Sequence, residues 1–280
     1  MILAVVLVSF GIIFLVSAFW NGLVVKNYIV RSNKIRERIK IVLITDLHSH
    51  IYGKNQKNIA NKIKKASPDL IVLSGDIVDD IEPVEGAEQF FEAIKDIADI
   101  YYVTGNHDKI FVRIGKNLKK ILRIRGITAL SNKYIETNIN GNDIIIGGLD
   151  DPGINRRRSS KEYAKKLENR WERNANVAFK DLKDDGKYKI LLSHRPDKTD
   201  IYGKLPFDMI LSGHAHGGQV RIPFILNGLY APNQGLFPKY AGGLYKYKDK
   251  THIVSRGVAF NIIFPRIFNP PEIVVITLSP

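Results

Sequence analysis

Hydrophobic residues form one long uninterrupted run at the start of this chain and then recur in short runs separated by polar segments. The first run carries no charged side chain before Lys26. A helix through it is long enough for a hydrocarbon core of about 30 Å, and Trp20 near its end suits the bilayer interface. The run therefore predicts one transmembrane helix over residues 1–25. A cleaved signal peptide is disfavoured because no basic residues precede the run, and a buried core helix is disfavoured because the run is long and uncharged.

The segment that follows the predicted span is basic. It contains Lys26, Arg31, Lys34, Arg36, Arg38 and Lys40, with Glu37 as the one acidic residue. We expect residues 26–38 to form a juxtamembrane segment that favours an anionic leaflet. Positive charge on this flank predicts a single-pass membrane protein whose following domain is cytoplasmic.

From residue 39 onward, short β-rich runs alternate with amphipathic stretches. Residues 39–44, 69–74 and 100–104 read as strands, and the stretches between them, near 57–66 and 86–98, read as helices. Strand–helix–strand order at these lengths predicts parallel strands joined by right-handed crossovers. Further strands are predicted at 189–193, 207–212 and 272–276, and helices near 111–125 and 156–183. We expect one α/β domain over residues 39–280.

Composition narrows the chemistry. Lys+Arg number 42 against 28 Asp+Glu, a net charge of +14, which favours anionic partners such as phosphorylated substrates, nucleic acid or anionic lipid. A basic run at 156–161 could bind phosphate or lipid headgroups, or could be a solvated face. The chain has no cysteine, which excludes disulfides, zinc–thiolate sites and a cysteine nucleophile.

Polar blocks directly follow five of the predicted strands. They read TDLHSH, GDIVDD, GNHD, HRPD and GHAHGG, and they contain six of the seven histidines. In an open parallel sheet, ligand sites form outside the carboxyl ends of the strands, so the blocks are expected to converge. The candidate metal ligands are Asp46, His48, Asp76, Asn106, His194, His214 and His216.

These seven side chains offer carboxylate, imidazole and amide oxygen, a set that suits Mn²⁺, with Fe or Zn²⁺ as alternatives. They are too many for one tetrahedral ion and suit two divalent ions that share Asp76 as a bridge. Asp46 and Asp76 singly could be helix N-caps. If the chain is extended at His214 and His216, both imidazoles lie on one side, about 6–7 Å apart at Cα, and could grip one ion or straddle two. The chain contains neither a GxSxG elbow nor an HExxH motif.

The order of these motifs, D-x-H, G-D, G-N-H-D, a later His and G-H-x-H, resembles the calcineurin-like metallophosphoesterase superfamily over residues 41–217. The tail contains GGQVRIP (217–223), LYAPNQGLFPKYAGGLY (229–245) and SRG (255–257). These segments resemble the bacterial membrane-associated branch of the superfamily, which includes cell-envelope phosphoesterases and relatives of UDP-diacylglucosamine pyrophosphatases. The resemblance implies a four-layer α/β sandwich of two packed mixed sheets. It also implies that Asp46, His48 and His216 hold one ion, that Asn106, His194 and His214 hold the other, and that Asp76 bridges them. His107 would then face the substrate, and Asp108, where many relatives carry Glu, could orient it.

The expected function is hydrolysis of a phosphate ester or pyrophosphate bond by a metal-bound hydroxide shared between two ions. A membrane-associated or lipid-linked substrate is favoured by the anchor and the basic flank. Arg195 is expected either to clamp phosphate or to form a surface ion pair. His50 is expected to be solvated or to face the substrate. Asp79 and Asp80 either support the ligands or form a solvated acidic loop, and His252 is expected to be structural. The alternatives are a binding or scaffold protein on the same fold, and a nucleotide or nucleic-acid phosphodiesterase; nucleic acid is disfavoured because no aromatic–basic interleaving stands out.

Overall fold

The computed structural model describes residues 1–153, 160–260 and 265–280. Most of the basic run at 156–161 lies outside the described residues. The helices are α1 Ile2–Phe19, α2 Lys57–Ala66, α3 Glu85–Ile94, α4 Asn106–Arg113, α5 Leu118–Arg123, α6 Lys161–Ala178 and α7 Thr199–Tyr202. The strands are β1 Val24–Arg31, β2 Ile39–Ile44, β3 Leu70–Ser74, β4 Asp99–Val103, β5 Thr128–Ala129, β6 Lys133–Ile139, β7 Asn142–Leu149, β8 Tyr188–Ser193, β9 Met209–Ser212, β10 Tyr230–Ala231, β11 Gly235–Leu236, β12 Gly243–Tyr247, β13 Lys250–Val254 and β14 Glu272–Ser279.

The strands form two six-stranded mixed sheets and one short hairpin. The first sheet has the order β1-β14-β2-β3-β4-β5 and the second the order β12-β13-β9-β8-β7-β6, while β10 and β11 pair with each other. Strands β2 to β5 are parallel neighbours, as are β7, β8, β9 and β13. The predicted sandwich of two mixed sheets with helices is confirmed.

Strand β2 shows why the sheets stack. Its alternate residues Ile41 and Leu43 pack in a cluster that also contains residues of β7, β8 and β9 from the second sheet. Val42 and Ile44 point the other way, into a cluster with residues of α2 and α3. Because side chains alternate across a strand and both faces of β2 are apolar, the strand needs a cover on each side. Helix α6 covers the outer face of the second sheet through Trp171 and Ala175, and Phe179, directly after the helix, packs in the same cluster.

The first sheet starts earlier in the chain than the sequence pattern indicated. Residues 24–31 form β1, which pairs in parallel with β14 along its whole length. The sequence pattern assigned residues 24–25 to the transmembrane helix and residues 26–31 to the basic juxtamembrane segment. The alternation within VVKNYIVR turns Tyr28 and Val30 towards the core, while Ile29 and Arg31 stay exposed. β1 supplies hydrogen-bond partners for the backbone groups along the edge of β14. These hydrogen bonds stabilise the strand despite the polar composition of the segment.

Helix α1 is the one helix among the described residues that is long and apolar enough to cross a membrane, by length and composition. Its mean hydropathy is 2.9 and only 6% of it is buried, so it is not a core helix of the domain. Its end is attached to the domain at Phe268. The N–H of Phe268 donates to the carbonyl of Ala18 at 2.7 Å, and its ring packs edge-to-face on Phe14 at 5.2 Å.

Candidate metal centre

The carboxyl ends of strands from both sheets meet at one rim of the sandwich. Asp46 follows β2, Asp76 follows β3, Asn106 opens α4 after β4, His194 follows β8 and His214 follows β9. The first three strands belong to one sheet and the last two to the other. The site is therefore assembled between the two sheets.

Four groups of three potential ligands form at this rim among the described residues; two include His107, and two consist only of the candidate ligands. Asp46, His48 and His216 bring one ligand atom each within 4.8 Å of one another, and Asp76, His194 and His214 do the same. Asp76 Oδ2 lies 3.1 Å from Nε2 of His194 and 3.9 Å from Nε2 of His48. The Asp76 carboxylate therefore adjoins both groups, and His214 and His216 belong to different groups.

The backbone at these residues is strained. Five of the seven candidate ligands have positive φ: Asp46 at 52°, His48 at 47°, Asp76 at 52°, His214 at 68° and His216 at 47°. Residues other than glycine avoid this region, and such strain concentrates at functional sites. Between His214 and His216, Ala215 is right-handed at φ −82° and ψ −12°, so the segment is not extended as the sequence pattern indicated. The backbone alternates between left-handed and right-handed conformations over these three residues, and this alternation directs the two imidazoles to different ligand groups.

The hydrogen bonds of the cluster test whether cations fit there. Nδ1 of His194 is 2.8 Å from the carbonyl of Ser74, and Nδ1 of His48 is 2.8 Å from Oδ2 of Asp79. Because Nδ1 of each ring is engaged in this way, Nε2 of each ring faces the cluster of candidate ligands. Nε2 of His48 and Oδ1 of Asn106 are both buried and have no hydrogen-bond partner among the described residues. Nitrogens that face carboxylates in a buried site need a cation between them, either a proton on the ring or a metal ion, so the donor set fits divalent ions.

The carboxylates dominate the electrostatics around two of the histidines. Against the opposing effect of burial, the hydrogen bond to Asp79 and the charge of Asp76 raise the pKa of His48 to about 9. Against the same opposition, the charge of Asp76 raises the pKa of His194 to about 10. Burial instead lowers the pKa of His216 to about 4. A strongly negative buried cluster of this kind favours cations over empty space.

A cavity of about 730 Å³ lies over the cluster. Its wall is partly ionisable and partly apolar, and includes His48, His50, His107, Ile51, Phe260 and Arg266. His50 contacts the rings of Tyr52 and Phe260 at the wall. A phosphoryl group and an attached apolar group can both be accommodated in such a cavity.

His107 lies at the edge of the cavity and is held by an acidic loop. Its backbone N–H donates to Oδ1 of Asp76 at 2.8 Å. Its Nδ1 contacts the carboxylate of Asp80 and lies 3.4 Å from Oδ2 of Asp79. These two acidic residues were identified in the sequence only as a supporting or solvated pair, because an acid-rich loop carries no signal of which carboxylate faces which ring.

Asp108 does not orient His107 as the sequence comparison implied. Its carboxylate is fully buried and accepts hydrogen bonds from the backbone N–H groups of Asp76 at 2.7 Å, Val78 at 2.9 Å and Gly105 at 2.7 Å. It lies in the first turn of α4, where its side chain points back to these donors. Asp108 therefore joins the loops after β3 and β4, and among the described residues the contact of Nδ1 of His107 is with Asp80 and Asp79.

Arg195 differs from both expectations for it. It is only 2% exposed, and its guanidinium forms a bidentate pair with Asp151, at 2.6 Å from Nε to Oδ2 and 3.1 Å from the second nitrogen to Oδ1. It is therefore neither a surface ion pair nor a group aimed at the cavity. The pair fixes the loop after β8 next to His194.

Two residues near the centre carried no sequence signal. Nδ2 of Asn233, from a loop that follows β10, lies 2.8 Å from Nε2 of His214. Arg266 is buried, donates to the carbonyls of Ala259 and Arg256, and lines the cavity beside His216. Both come from segments far along the chain without metal-type motifs. His252, expected to be structural, is buried and hydrogen-bonded to Ser212.

Comparison with known proteins gives one family and a set of bacterial relatives. Residues 39–218 match the family model described as calcineurin-like phosphoesterase. The chain is 29% identical over 262 residues to an uncharacterised metallophosphoesterase of Campylobacter jejuni, covering 91% of this chain but 63% of that protein. It is 26% identical over 246 residues to the phosphodiesterase YaeI of Escherichia coli, covering 85% of this chain and 82% of that protein. Among solved structures, the NAD nucleotidase of Haemophilus influenzae superposes with a TM-score of 0.50 at 18% identity, over 80% of this chain and 46% of that one.

Proposed function

The chain belongs to the calcineurin-like phosphoesterase family, and we therefore propose that it is a metal-dependent phosphohydrolase that cleaves a phosphate ester or pyrophosphate bond. The observation that carries the proposal is the pair of ligand groups on either side of Asp76, under an open cavity. The name of its Escherichia coli relative, a phosphodiesterase, supports the same class of reaction.

In this proposal the candidate ligands divide between two ions. Asp46, His48 and His216 hold one, Asn106, His194 and His214 hold the other, and Asp76 serves both. Two divalent ions, Mn²⁺ in our proposal with Fe or Zn²⁺ as alternatives, would supply Lewis acidity to the phosphoryl oxygens and activate water at neutral pH. Asp79 fixes the ring of His48 through Nδ1, which keeps Nε2 directed at the centre.

His107 is the proposed proton donor to the leaving oxygen. Its imidazole borders the cavity, and the contacts of its Nδ1 with the carboxylates of Asp80 and Asp79 fix the orientation of the ring. Its backbone is tied to Asp76, so the donor and the ligand cluster keep a constant separation. A donor at the cavity wall is suited to protonate the oxygen of the leaving group.

We propose further that the substrate is membrane-associated or lipid-linked and that α1 anchors the domain. The cavity is close to the anchor along the chain: Arg266 lines the cavity, and Phe268, two residues on, packs on α1. Ile51 and Phe260 give the cavity an apolar wall for part of such a substrate. The basic residues between 26 and 40 favour a cytoplasmic position of the domain.

The test uses the full chain in detergent micelles with bis-p-nitrophenyl phosphate as substrate. Hydrolysis is expected only with added Mn²⁺ or a similar ion, and Asp76→Asn is expected to abolish it. Asp249→Asn removes the same charge at a side chain that is 81% exposed and is the matched control. His107→Ala is expected to keep bound metal and lose rate. Full activity of Asp76→Asn would disprove the shared ligand, and metal loss in His107→Ala would make His107 a ligand.

A further inference from the structure

A lobe beside the cavity exposes large apolar side chains. Phe224 is fully exposed, Ile225 is 83% exposed and Phe237 is 67% exposed, and the nearby Leu236 is similarly open. Single exposed apolar residues are ordinary, but several on one lobe mark an interaction surface. We call residues 220–237 the apolar lobe.

The backbone of the apolar lobe is ordered by its own hydrogen bonds. The N–H of Leu226 donates to the carbonyl of Ile222 at 2.8 Å, which closes the turn that carries Phe224 and Ile225. The N–H of Leu229 donates to Val220 at 2.9 Å, and that of Phe237 donates to Leu229 at 2.8 Å. The turn and the β10–β11 hairpin are thus one unit, and the exposed side chains are held outward by it.

The apolar lobe is attached to the base of α1. Val220 and Ile267 form a β-bridge, and the N–H of Arg221 donates to the carbonyl of Ile267 at 2.9 Å. The N–H of the next residue, Phe268, donates to the carbonyl of Ala18, and its ring packs edge-to-face on Phe14. The exposed turn therefore lies next to the end of the helix proposed to cross the bilayer.

The segment that contains the apolar lobe carries charged side chains of one sign. Between residues 209 and 248 there is no Asp or Glu, and the four charged side chains are Arg221, Lys239, Lys246 and Lys248. The chain has 28 acidic residues, and the other stretch of comparable length without one is the N-terminal stretch before Glu37, which contains α1. Exposed aromatic and aliphatic residues beside basic ones are the composition of surfaces that lie in a phospholipid interface.

We propose that the apolar lobe inserts into the bilayer interface beside α1 and places the mouth of the cavity at the level of the lipid headgroups. Gln219, which immediately precedes the lobe, and Arg266 both line the cavity, so the lobe and the cavity share a wall. A phosphoryl group at the membrane surface then enters the cavity without leaving the interface. The inference rests on the proposed anchoring by α1 and adds a second, independent membrane contact.

The absence of cysteine permits single-cysteine labelling of the full chain without background. Phe224→Cys and Phe237→Cys are labelled with an environment-sensitive fluorophore, and the protein is reconstituted in phosphatidylcholine–phosphatidylglycerol vesicles that contain spin-labelled lipid. Val177→Cys on α6 is the matched control, since Val177 is also 67% exposed. Val8→Cys reports whether α1 itself lies in the bilayer.

We expect the labels at residues 224 and 237 to be quenched several times more strongly than the label at 177. Adding Ile225→Asp to the Phe237→Cys protein is expected to reduce that quenching, because a charge opposes insertion of the shared lobe. Quenching at residue 8 with none at 224 and 237 would overturn the lobe contact and leave the anchor intact. No quenching at residue 8 would overturn the anchor. Disulfide-linked dimers of Phe224→Cys without lipid quenching would assign the surface to a second copy of the chain. Hydrolysis of bis-p-nitrophenyl phosphate by each labelled protein reports the proposed activity separately.

Discussion

Replacing Asp108 by Asn tests whether this carboxylate builds the site or takes part in the reaction. The side chain is fully buried and receives three backbone N–H groups, from Asp76, Val78 and Gly105. Its Oδ2 accepts two of them and its Oδ1 accepts the third. An amide supplies one oxygen, so Asp108→Asn can keep the first two bonds only by turning its NH₂ towards the N–H of Val78.

The cost can be worked from these contacts. Losing one hydrogen bond to a charged acceptor costs about 1.5–3 kcal/mol, and the buried N–H left without a partner costs about 1–3 kcal/mol. Burial and the charge of Asp76 raise the pKa of Asp108 to about 6, so removing its charge recovers at most about 3 kcal/mol. We expect a net loss of about 2 kcal/mol, which lowers the melting temperature by about 4–8 °C in a chain of this size.

The assay compares Asp108→Asn with Asp80→Asn by thermal unfolding and by the rate of Mn²⁺-dependent hydrolysis. Asp80 contacts Nδ1 of His107, and removing its charge is expected to lower kcat about 10–100-fold. Its melting temperature is expected to stay within about 2 °C of the parent. An unchanged melting temperature for Asp108→Asn, together with full activity of Asp80→Asn, would refute the assignment and restore Asp108 as the residue that orients His107.

Three further outcomes are expected. Gly105→Ala should weaken metal binding at least about tenfold, because the added Cβ would lie 2.1 Å from Oδ1 of Asp76. In the control Gly11→Ala the added Cβ meets no atom within 4 Å, so metal binding should not change. Normal metal binding by Gly105→Ala would contradict the geometry. Chelation should lower the melting temperature and Mn²⁺ should restore it, because ions bind the folded chain, and Asp76→Asn should show neither shift. Burial lowers the pKa of His252 to about 3, below its ordinary value near 6.5. As pH falls below about 6.5, the unfolded chain therefore binds a proton at His252 that the folded chain does not bind. The free energy of unfolding then declines by up to about 1.4 kcal/mol per pH unit. A His252→Gln variant should lose less of its melting temperature between pH 6.5 and 4.5, and an equal loss would show that other groups dominate.

Some features of this protein follow from the sequence because they depend on local pattern and on side-chain identity. The short, continuous apolar runs indicate buried strands such as β2 and β3, and the polar residues at their ends indicate a rim of ligands. Carboxylate, imidazole and amide groups already define the chemistry, and the order of the motifs indicates the family. The apolar run at the N-terminus likewise predicts α1 from length and composition alone.

Only the tertiary structure decides which partner each side chain has. The pairing of β1 with β14 joins residues separated by nearly the whole chain, and no local pattern encodes it. Asp80 and Asp108 are both acidic and both lie near His107 in sequence or in space. In the fold, Asp80 contacts the ring of His107 from a loop, whereas Asp108 points from the first turn of α4 to three backbone N–H groups. Only the packed backbone distinguishes these two roles.

The same reasoning applies to Arg195, whose bidentate pair with Asp151 crosses between loops of neighbouring strands. The sequence by itself determined most of the strands, the ligand types and the family, and the family resemblance implied that His214 and His216 hold different ions. The tertiary structure decided the backbone conformation that directs these two imidazoles to different groups, the carboxylate beside His107, and the position of the apolar lobe next to α1. Residue identity and periodicity are local properties, whereas each of these contacts depends on how distant segments pack against one another.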